Sequence, residues 1–261
     1  MLKDKIVFVT GASSGIGTAC AKQFAKAGAK LLLCARRIEL LDTLASQLHN
    51  EYGVDVFTFQ LDVRHHSELK EAIKALPDKW KNVDVLVNNA GLSVGLDLLH
   101  EGNIQDWDDM IDTNVKGLLY VTREILPQMV RRNSGHVINI GSISSHQVYP
   151  KGAVYCATKH AVKALSEGLR MDLFGTKVRV SSIDPGLVNT NFSTVRFKGD
   201  KKRADAVYEG MEPLMAEDVA DAVLYCATRP PHINISEVLI MPTDQVSVSM
   251  VSRKEVPADL Q

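Results

Sequence analysis

Thr10-Gly11-Ala12-Ser13-Ser14-Gly15-Ile16-Gly17 connects a short apolar, β-branched run at residues 6–9 to a stretch of helical period at residues 18–27. Glycines in such a turn let the backbone approach a ligand closely, and the N-terminus of the following helix offers free N–H groups to an anion. The spacing GxxxGxG could by itself be only a glycine-rich turn. The strand before it and the helix after it favour a loop that binds a dinucleotide.

The same alternation of apolar runs and amphipathic stretches continues along the chain. Seven runs predict strands, at residues 6–9, 31–34, 54–59, 83–87, 136–140, 178–183 and 238–241. Stretches of helical period lie between them, at residues 18–27, 38–48, 69–76 and 107–132. Strands that alternate with helices form a parallel sheet covered on both faces. We therefore predict an α/β fold over residues 1–261, a single-domain Rossmann-like doubly wound sheet of seven mainly parallel strands with helices on both faces.

Two segments in the C-terminal half depart from this pattern. Residues 189–202 are polar and are expected to be the least regular part of the chain. Because a loop of that length is usually functional or mobile, we expect residues 189–215 to form a lid over the substrate. Residues 243–261 follow the last predicted strand and are expected to form a C-terminal tail.

The composition excludes several classes of function. The 261 residues include 30 Lys and Arg against 31 Asp and Glu, whereas a general binder of nucleic acid or of membrane surfaces needs a basic excess. No apolar run approaches the roughly 18 residues of a membrane span, and residues 6–9 are too short for the core of a signal peptide. We expect a cytoplasmic protein whose partner is a small-molecule substrate.

The cysteines and histidines show no pattern typical of a metal site. Each cysteine lies in an apolar stretch and none shares a short spacing with another, which predicts four buried free thiols in a reducing compartment. They are Cys20, Cys34, Cys156 and Cys226. His65 and His66 are adjacent, so on a helix their rings point in different directions. We expect no bound metal.

The end of the second predicted strand bears on the choice of cofactor. An enzyme for NAD places an acidic side chain there to accept the ribose 2′-hydroxyl, but the first acidic residue is Glu39. Arg36 and Arg37 occupy the position instead, and their guanidinium groups suit the 2′-phosphate of NADP. The alternative is a solvated pair of charges, although cations are unfavourable at a helix N-terminus without an anion nearby.

Tyr155 and Lys159 are the first candidates for catalysis, because a spacing of four residues places both on one face of a helix. A nearby ammonium stabilises a phenolate and so makes a tyrosine usable as an acid or base. The pair alone could be a surface contact. Ser142, just past the fifth predicted strand, strengthens the hypothesis, because its hydroxyl can hydrogen-bond a substrate oxygen where negative charge develops.

Taken together, these motifs resemble the short-chain dehydrogenase/reductase family from about residue 5 to residue 241. They are the loop at residues 10–17, Asn88-Asn89-Ala90-Gly91, Asn114, Ser142, Tyr155 with Lys159, and Pro185-Gly186. Residues 155–162, 195–200 and 241–245 resemble a narrower group, the NADP-dependent 3-hydroxy acid dehydrogenases related to serine and allo-threonine dehydrogenases.

The resemblance implies a role for each matching residue. Tyr155 would protonate the carbonyl oxygen in reduction, Lys159 would lower the pKa of Tyr155 and bind the nicotinamide ribose, and Ser142 would hold the substrate oxygen. Asn114 would keep a water in a proton relay to Lys159. Asp62 would read the adenine amino group. The residues implied to bind NADP(H) are Gly11, Ser13, Ser14, Gly15, Ile16, Gly17, Arg36, Arg37, Asp62, Val63, Asn89, Ala90, Gly91, Tyr155, Lys159, Pro185, Gly186, Val188 and Thr190.

The substrate and the assembly are less determined. The sequence is compatible with oxidation of short 3-hydroxy acids, with reduction of other carbonyls or of sulfonated aldehydes, and with a non-catalytic NADP-binding sensor or scaffold. A substrate carboxylate would need a cation, for which Arg196 is the first candidate and Lys198 the second, unless Arg196 is only an exposed charge on a loop. Leu118, Leu119, Val121 and Ile125 are core or subunit contacts, and the family resemblance implies a dimer or, more often, a homotetramer.

Overall fold

The computed structural model describes residues 2–254 of the chain. Its strands are β1 (Ile6–Thr10), β2 (Lys30–Ala35), β3 (Val56–Gln60), β4 (Val85–Asn88), β5 (Gly135–Ile140), β6 (Val178–Pro185), β7 (Val188–Asn189), β8 (Leu214–Met215) and β9 (Glu237–Ile240). Seven of them form one sheet in the order β3-β2-β1-β4-β5-β6-β9, and each neighbouring pair in it is parallel. Strands β7 and β8 pair separately. The predicted doubly wound sheet is confirmed.

The helices are α1 (Gly15–Lys26), α2 (Ile38–Tyr52), α3 (His66–Ala75), α4 (Ile104–Ile111), α5 (Leu118–Arg131), α6 (Ala153–Asp172), α7 (Phe192–Arg196), α8 (Lys201–Ala206) and α9 (Ala216–Thr228). The prediction of one helix over residues 107–132 was wrong in detail. Helix α4 begins three residues earlier, and a π-helical turn over Asp112–Gly117 separates it from α5. Hydrophobic periodicity does not reveal such a turn, because apolar residues continue on both sides of it.

Residues 189–202 are more regular than the sequence predicts. They include all of α7 and the start of α8, whose N-cap residue Asp200 accepts a hydrogen bond from the backbone N–H of Arg203. Helices of five or six residues are too short to show a helical period in the sequence. The description of this segment as irregular was therefore wrong.

The core lies on both faces of the sheet because alternate residues of each strand point to opposite sides. In β1, Val7 and Val9 pack with α1, α2 and α9, whereas Ile6 and Phe8 pack on the other face with α3 and α5. Such strands carry apolar residues at every position, as in residues 6–9, and this is typical of a parallel sheet buried on both sides.

The segment after β9 contacts residues 189–215, the predicted lid. The backbone of Asp244 accepts a hydrogen bond from the N–H of Ser252, and the N–H of Lys254 donates to the carbonyl of Gly210. Residues 255–261 of the predicted tail lie outside the described residues. Across residues 2–254, no helix combines the length and the apolar character that crossing a membrane requires.

Candidate active site

A cavity of about 450 Å³ is lined by the segments that follow strands β1 to β6. Doubly wound sheets bind their ligands at this edge. Nearly every residue that the sequence predicts for the site lines this cavity; the exceptions are Gly17, Asn114 and Lys198. The predicted residues that do line it are Gly11, Ser13, Ser14, Gly15, Ile16, Arg36, Arg37, Asp62, Val63, Asn89, Ala90, Gly91, Ser142, Tyr155, Lys159, Pro185, Gly186, Val188, Thr190 and Arg196.

The glycine loop leaves the N-terminus of α1 open. Gly11 and Gly15 have positive φ angles of 65° and 55°, which only glycine adopts without strain. A Cβ on Gly17 would lie 2.4 Å from the carbonyl oxygen of Gly11, so this glycine lets the helix pack against the loop. Ser14 makes no side-chain capping bond and the first turn carries no acidic residue. The backbone N–H groups there suit a pyrophosphate.

The two arginines after β2 lie beside this loop. Nη2 of Arg37 donates hydrogen bonds of 3.1 Å to the hydroxyls of both Ser13 and Ser14. Both arginines are exposed, and the backbone carbonyl of Arg36 accepts from Nε2 of Gln60 at 2.9 Å. Two guanidinium groups at the end of β2 provide a positively charged site for a 2′-phosphate, so the residues present fit NADP.

Asp62 is held in place by Arg64, a residue that sequence reasoning missed. Nε and Nη2 of Arg64 together reach both carboxylate oxygens, and Nη1 bonds Asp109 at 2.7 Å. Burial favours a raised pKa for Asp62, but the hydrogen bonds and charge of Arg64 outweigh it and hold the pKa below its usual value. Asp62 therefore remains an anionic acceptor. In the sequence, only the spacing of two residues between Asp62 and Arg64 could have indicated this contact.

The segment after β6 is fixed by Gln245. Like Arg64, this residue was not predicted from the sequence to belong to the site. Oε1 of Gln245 accepts from the backbone N–H of Leu187 at 2.8 Å. A Cβ on Gly186 would come within 2.4 Å of that same oxygen, so only glycine admits this contact. Gln245 is buried, and it thereby fixes the backbone between Pro185 and Val188, the residues implied to hold the nicotinamide.

Tyr155 and Lys159 lie on α6, with Lys159 buried behind the phenol. Nζ of Lys159 donates to the carbonyl of Ile140 at 2.8 Å and lies 6.0 Å from the centre of the Tyr155 ring. Burial lowers the pKa of Lys159 to about 8, and the negative charge of Asp184 acts against this change. At neutral pH the side chain is mainly an ammonium.

Burial raises the pKa of Tyr155 to about 12, and the charge of Arg196 is the largest effect that opposes this. The family resemblance implies that Lys159 lowers this pKa, and that role stays a prediction. The guanidinium carbon of Arg196 lies 5.2 Å from the centre of the phenol ring, closer than Nζ of Lys159 at 6.0 Å. A phenol that keeps its proton at neutral pH suits a general acid.

Ser142 is oriented by a short 3₁₀ turn that begins directly after it. Its Oγ accepts from the backbone N–H of Ser144 at 3.0 Å, and Oγ of Ser145 accepts from the N–H of Ser142 at 3.2 Å. This reciprocal cap occupies an acceptor site of the Ser142 hydroxyl and leaves its proton free to be donated. The hydroxyl can therefore donate toward a substrate oxygen in the cavity.

Asn114 lies in the π-helical turn and does not face the cavity. Its Oδ1 accepts from the N–H of Leu92, while Nδ2 donates to the carbonyl of Leu92 and to Oγ1 of Thr158. The side chain thus joins the segment after β4 to α6. These bonds already occupy the side-chain amide. The predicted role of Asn114 in a proton relay stays a prediction.

Arg196 enters the cavity from the end of α7. Nε donates to Oγ of Ser93 and Nη2 to the phenol of Tyr149, both at 3.1 Å, and the guanidinium lies over the rings of Tyr155 and Phe192. The alternative of an exposed charge does not fit this half-buried position. Lys198 instead pairs with Asp106 at 2.9 Å, away from the cavity. Nothing in the sequence near Ser93 or Tyr149 predicts their contacts with Arg196.

A comparison with protein families accounts for this combination of loop, tyrosine and lysine. The family model described as short chain dehydrogenase matches residues 5–201. The chain belongs to the short-chain dehydrogenase family.

Relatives within that family share the cofactor. An NADP-dependent 3-hydroxy acid dehydrogenase of Salmonella typhi is 49% identical over 241 residues, which are 92% of this chain and 96% of the relative. An NADP-dependent 3-hydroxy acid dehydrogenase of Schizosaccharomyces pombe is 42% identical over 97% of this chain and 98% of its own. This short-chain dehydrogenase is an NADP-dependent oxidoreductase that acts on CH–OH groups.

Solved structures of serine dehydrogenases have the same fold. The closed form of a serine dehydrogenase complexed with NADP+ has a TM-score of 0.89 and 45% identity, covering 96% of this chain and all of that one. The serine dehydrogenase from Escherichia coli has a TM-score of 0.80 and 42% identity, covering 92% of this chain and 99% of that one. Both span essentially the whole short-chain dehydrogenase domain.

Proposed function

We propose that this enzyme transfers a hydride between NADP(H) and the hydroxyl or carbonyl carbon of a short 3-hydroxy acid. Serine, allo-threonine and the pair 3-hydroxypropionate and malonic semialdehyde are examples of the class. The observation that supports this most is Arg196, whose guanidinium lies 5.2 Å from the ring of Tyr155 inside the cavity. The names of the relatives, 3-hydroxy acid and serine dehydrogenases, support the same class.

In the proposed mechanism the cofactor, when bound, supplies or accepts the hydride, and the protein positions the substrate and moves a proton. Ser142 donates a hydrogen bond to the reacting oxygen. Tyr155 gives its proton to that oxygen in reduction and takes it back in oxidation. Lys159, fixed by the carbonyl of Ile140, presents an ammonium near the phenol and would hydrogen-bond the nicotinamide ribose of a bound cofactor.

Arg196 would orient the acid by its carboxylate. A guanidinium binds a carboxylate through two parallel hydrogen bonds, and this fixes direction as well as position. Ser93 and Tyr149 already hold two of its nitrogens, so the group is largely preorganised before substrate binds. A carboxylate two carbons from the reacting carbon would then place that carbon near Ser142 and Tyr155.

A panel of substrates assayed with NADP+ tests the proposal. It contains serine, allo-threonine and 3-hydroxypropionate, alcohols of similar size without a charged group, and hydroxy sulfonates. We expect the highest kcat/KM for the carboxylates. Preference for sulfonates would indicate a sulfonated-aldehyde reductase, preference for neutral alcohols a general carbonyl reductase, and binding of NADPH without turnover of any compound a sensor or scaffold.

We further propose that the enzyme is a homotetramer of the cytoplasm. Leu118, Val121 and Ile125 are buried in the core, whereas Leu119 of the same helix is exposed, as are Met171 and Phe174 near the end of α6. Apolar side chains exposed on the two long helices support a contact between subunits. The four buried free thiols are compatible with a reducing compartment. Light scattering that gives the mass of one or two chains would contradict the tetramer.

A further inference from the structure

A group of charged side chains around one buried carboxylate lies behind the catalytic wall, and the proposed reaction does not use it. Its centre is Asp184, the penultimate residue of β6, whose side chain is completely inaccessible to solvent. Oδ1 of Asp184 accepts from the hydroxyl of Ser182 at 2.8 Å, and Oδ2 lies 2.9 Å from Nε2 of His146. A buried carboxylate is stable only when such partners compensate its lost hydration.

The carboxylate lies directly against the backbone that carries two catalytic contacts. A Cβ on Gly141 would fall 1.7 Å from Oδ1 of Asp184, so the carboxylate occupies the space of a side chain at that position. The residue before Gly141 is Ile140, whose carbonyl accepts from Nζ of Lys159, and the residue after it is Ser142. Asp184 is therefore placed to act on Lys159 through a short, buried path.

The hydrogen bonds around His146 fix the ring that contacts Asp184. Nζ of Lys163 lies 2.9 Å from Nδ1 of His146, and since an ammonium can only donate, Nδ1 is the acceptor. The ring proton is then on Nε2 and is donated to Asp184. Glu237 borders the same group, with Oε2 at 3.8 Å from Nζ of Lys163. The side-chain oxygen and nitrogen atoms of His146, Asp184 and Glu237 lie within 4.8 Å of one another, close enough to hold a metal ion. The ammonium of Lys163, which contacts His146 and Glu237, already supplies a positive charge there.

Lys159 needs a negative charge nearby. Lys163 follows it by one helical turn on α6, and like charges at this spacing repel each other. Within residues 2–254 Lys159 has no carboxylate within the 4.0 Å of a salt bridge. The charged groups around the two lysines are Asp184 on β6, Glu237 on β9, His146 after the 3₁₀ turn, Arg196 on α7 and Tyr155 on α6 itself. Asp184 is the charge that opposes deprotonation of Lys159.

We propose that Asp184 is a positioning residue for the reaction, whose buried carboxylate, held by His146 and Ser182, keeps Lys159 in the ammonium form. This rests on the catalytic roles proposed for Tyr155 and Lys159. Removal of the negative charge makes the ammonium easier to deprotonate, because burial then acts unopposed. Turnover should therefore be lost at a lower pH on the alkaline side of the pH profile.

The test compares pH profiles of kcat with NADP+ and serine or 3-hydroxypropionate. In Asp184→Asn we expect the alkaline limb to move to lower pH by about one unit, with kcat near pH 6 close to that of the wild type. Lys163→Met removes a positive charge from the same group, so its limb should stay in place or move to higher pH. NADPH fluorescence titrations at each pH separate a loss of binding from a loss of turnover.

The opposite signs of the two shifts distinguish electrostatics from damage to the fold. An unshifted limb in folded Asp184→Asn, or the same downward shift in Lys163→Met, would overturn the proposal. If Asp184→Asn does not fold, Asp184→Ser removes the same charge with a smaller side chain and carries the same expectation. Lys159→Met is assayed in parallel: retained turnover there would refute the catalytic assignment itself, whereas inactive Lys159→Met with an unshifted Asp184→Asn would refute only the role of Asp184.

Discussion

The guanidinium carbon of Arg196 lies 5.2 Å from the ring centre of Tyr155, so the proposed substrate anchor and the proposed proton donor are in contact. A cation over the face of a phenol is attracted by the ring and favours its ionised form. The helix that carries Arg196 belongs to the segment between β7 and β8, whereas Tyr155 belongs to α6. Placement of α7 therefore controls both where an acid binds and how tightly the phenol holds its proton.

Arg196→Ala should raise KM for 3-hydroxy acids by about ten- to a hundredfold and spare a neutral alcohol of similar size. The reason is the loss of charge-assisted hydrogen bonds to the carboxylate. Steady-state kinetics on both substrates measure the effect. Lys198→Ala is the matched control, because that lysine pairs with Asp106 outside the cavity and should leave both KM values unchanged. Equal losses on acid and alcohol would instead mean that the segment around α7 is disordered in the variant.

Tyr155→Phe should lower kcat by at least 10²–10⁴-fold, roughly the contribution of general acid–base catalysis, while NADPH binds nearly as before. The change removes one hydroxyl from a buried ring and leaves the packing intact. Tyr208→Phe is the control, since it removes a phenol that lines the same cavity and donates to the carbonyl of Val188. Turnover of Tyr155→Phe at the rate of the wild type would exclude this residue as the proton donor.

Replacing Arg36 and Arg37 together with alanine should weaken binding of NADP(H) about tenfold or more relative to NAD(H). Each arginine can contribute a charge-assisted hydrogen bond to the 2′-phosphate, which NAD lacks. Fluorescence titration with NADPH and NADH gives both dissociation constants. Lys22→Ala, an exposed cation on α1, controls for the change in net charge. An unchanged preference in the double variant would mean that other groups recognise the 2′-phosphate.

His136 should make the protein less stable in acid. Burial, together with the charge of Arg179, lowers the pKa of His136 to about 3 from 6.5. Its Nε2 is 2.8 Å from the hydroxyl of Ser181, and Nδ1 has no hydrogen-bond partner within residues 2–254, so the neutral ring is the form that fits.

Between these two pKa values the unfolded chain binds a proton that the folded protein does not. The free energy of unfolding should therefore fall by about 1.4 kcal/mol for each unit of pH below 6.5 from this group. Urea denaturation at several pH values measures the slope, which should be smaller by that amount in His136→Gln. His100→Gln, at an exposed site, should keep the slope of the wild type; identical slopes in all three proteins would refute the prediction.

The sequence predicted those parts of the site that depend on neighbours along the chain. The loop at residues 10–17 lies between its own strand and helix, and the spacing of Tyr155 and Lys159 is one helical turn. These relationships are local, so a short window of sequence contains them.

Contacts between distant residues could not be predicted in the same way. Arg196 and Ser93 are 103 residues apart, Gln245 and Leu187 are 58 apart, and His146 and Asp184 are 38 apart. Each pair meets only because parallel strands bring their carboxyl ends to one edge of the sheet. The side chains that hold the proposed catalytic groups in place were therefore missed, whereas most of the residues predicted for the site do line the cavity.

The four buried cysteines also make the protein suitable for site-specific labelling. Burial raises the pKa of all four thiols, and the raised value for Cys20 is about 12, so in the native state they present little thiolate to alkylating reagents. A single cysteine introduced in place of Thr194, the half-buried residue of α7 that does not line the cavity, would react selectively with a fluorescent maleimide. Its emission would report any movement of α7 in real time, without prior removal of the native cysteines.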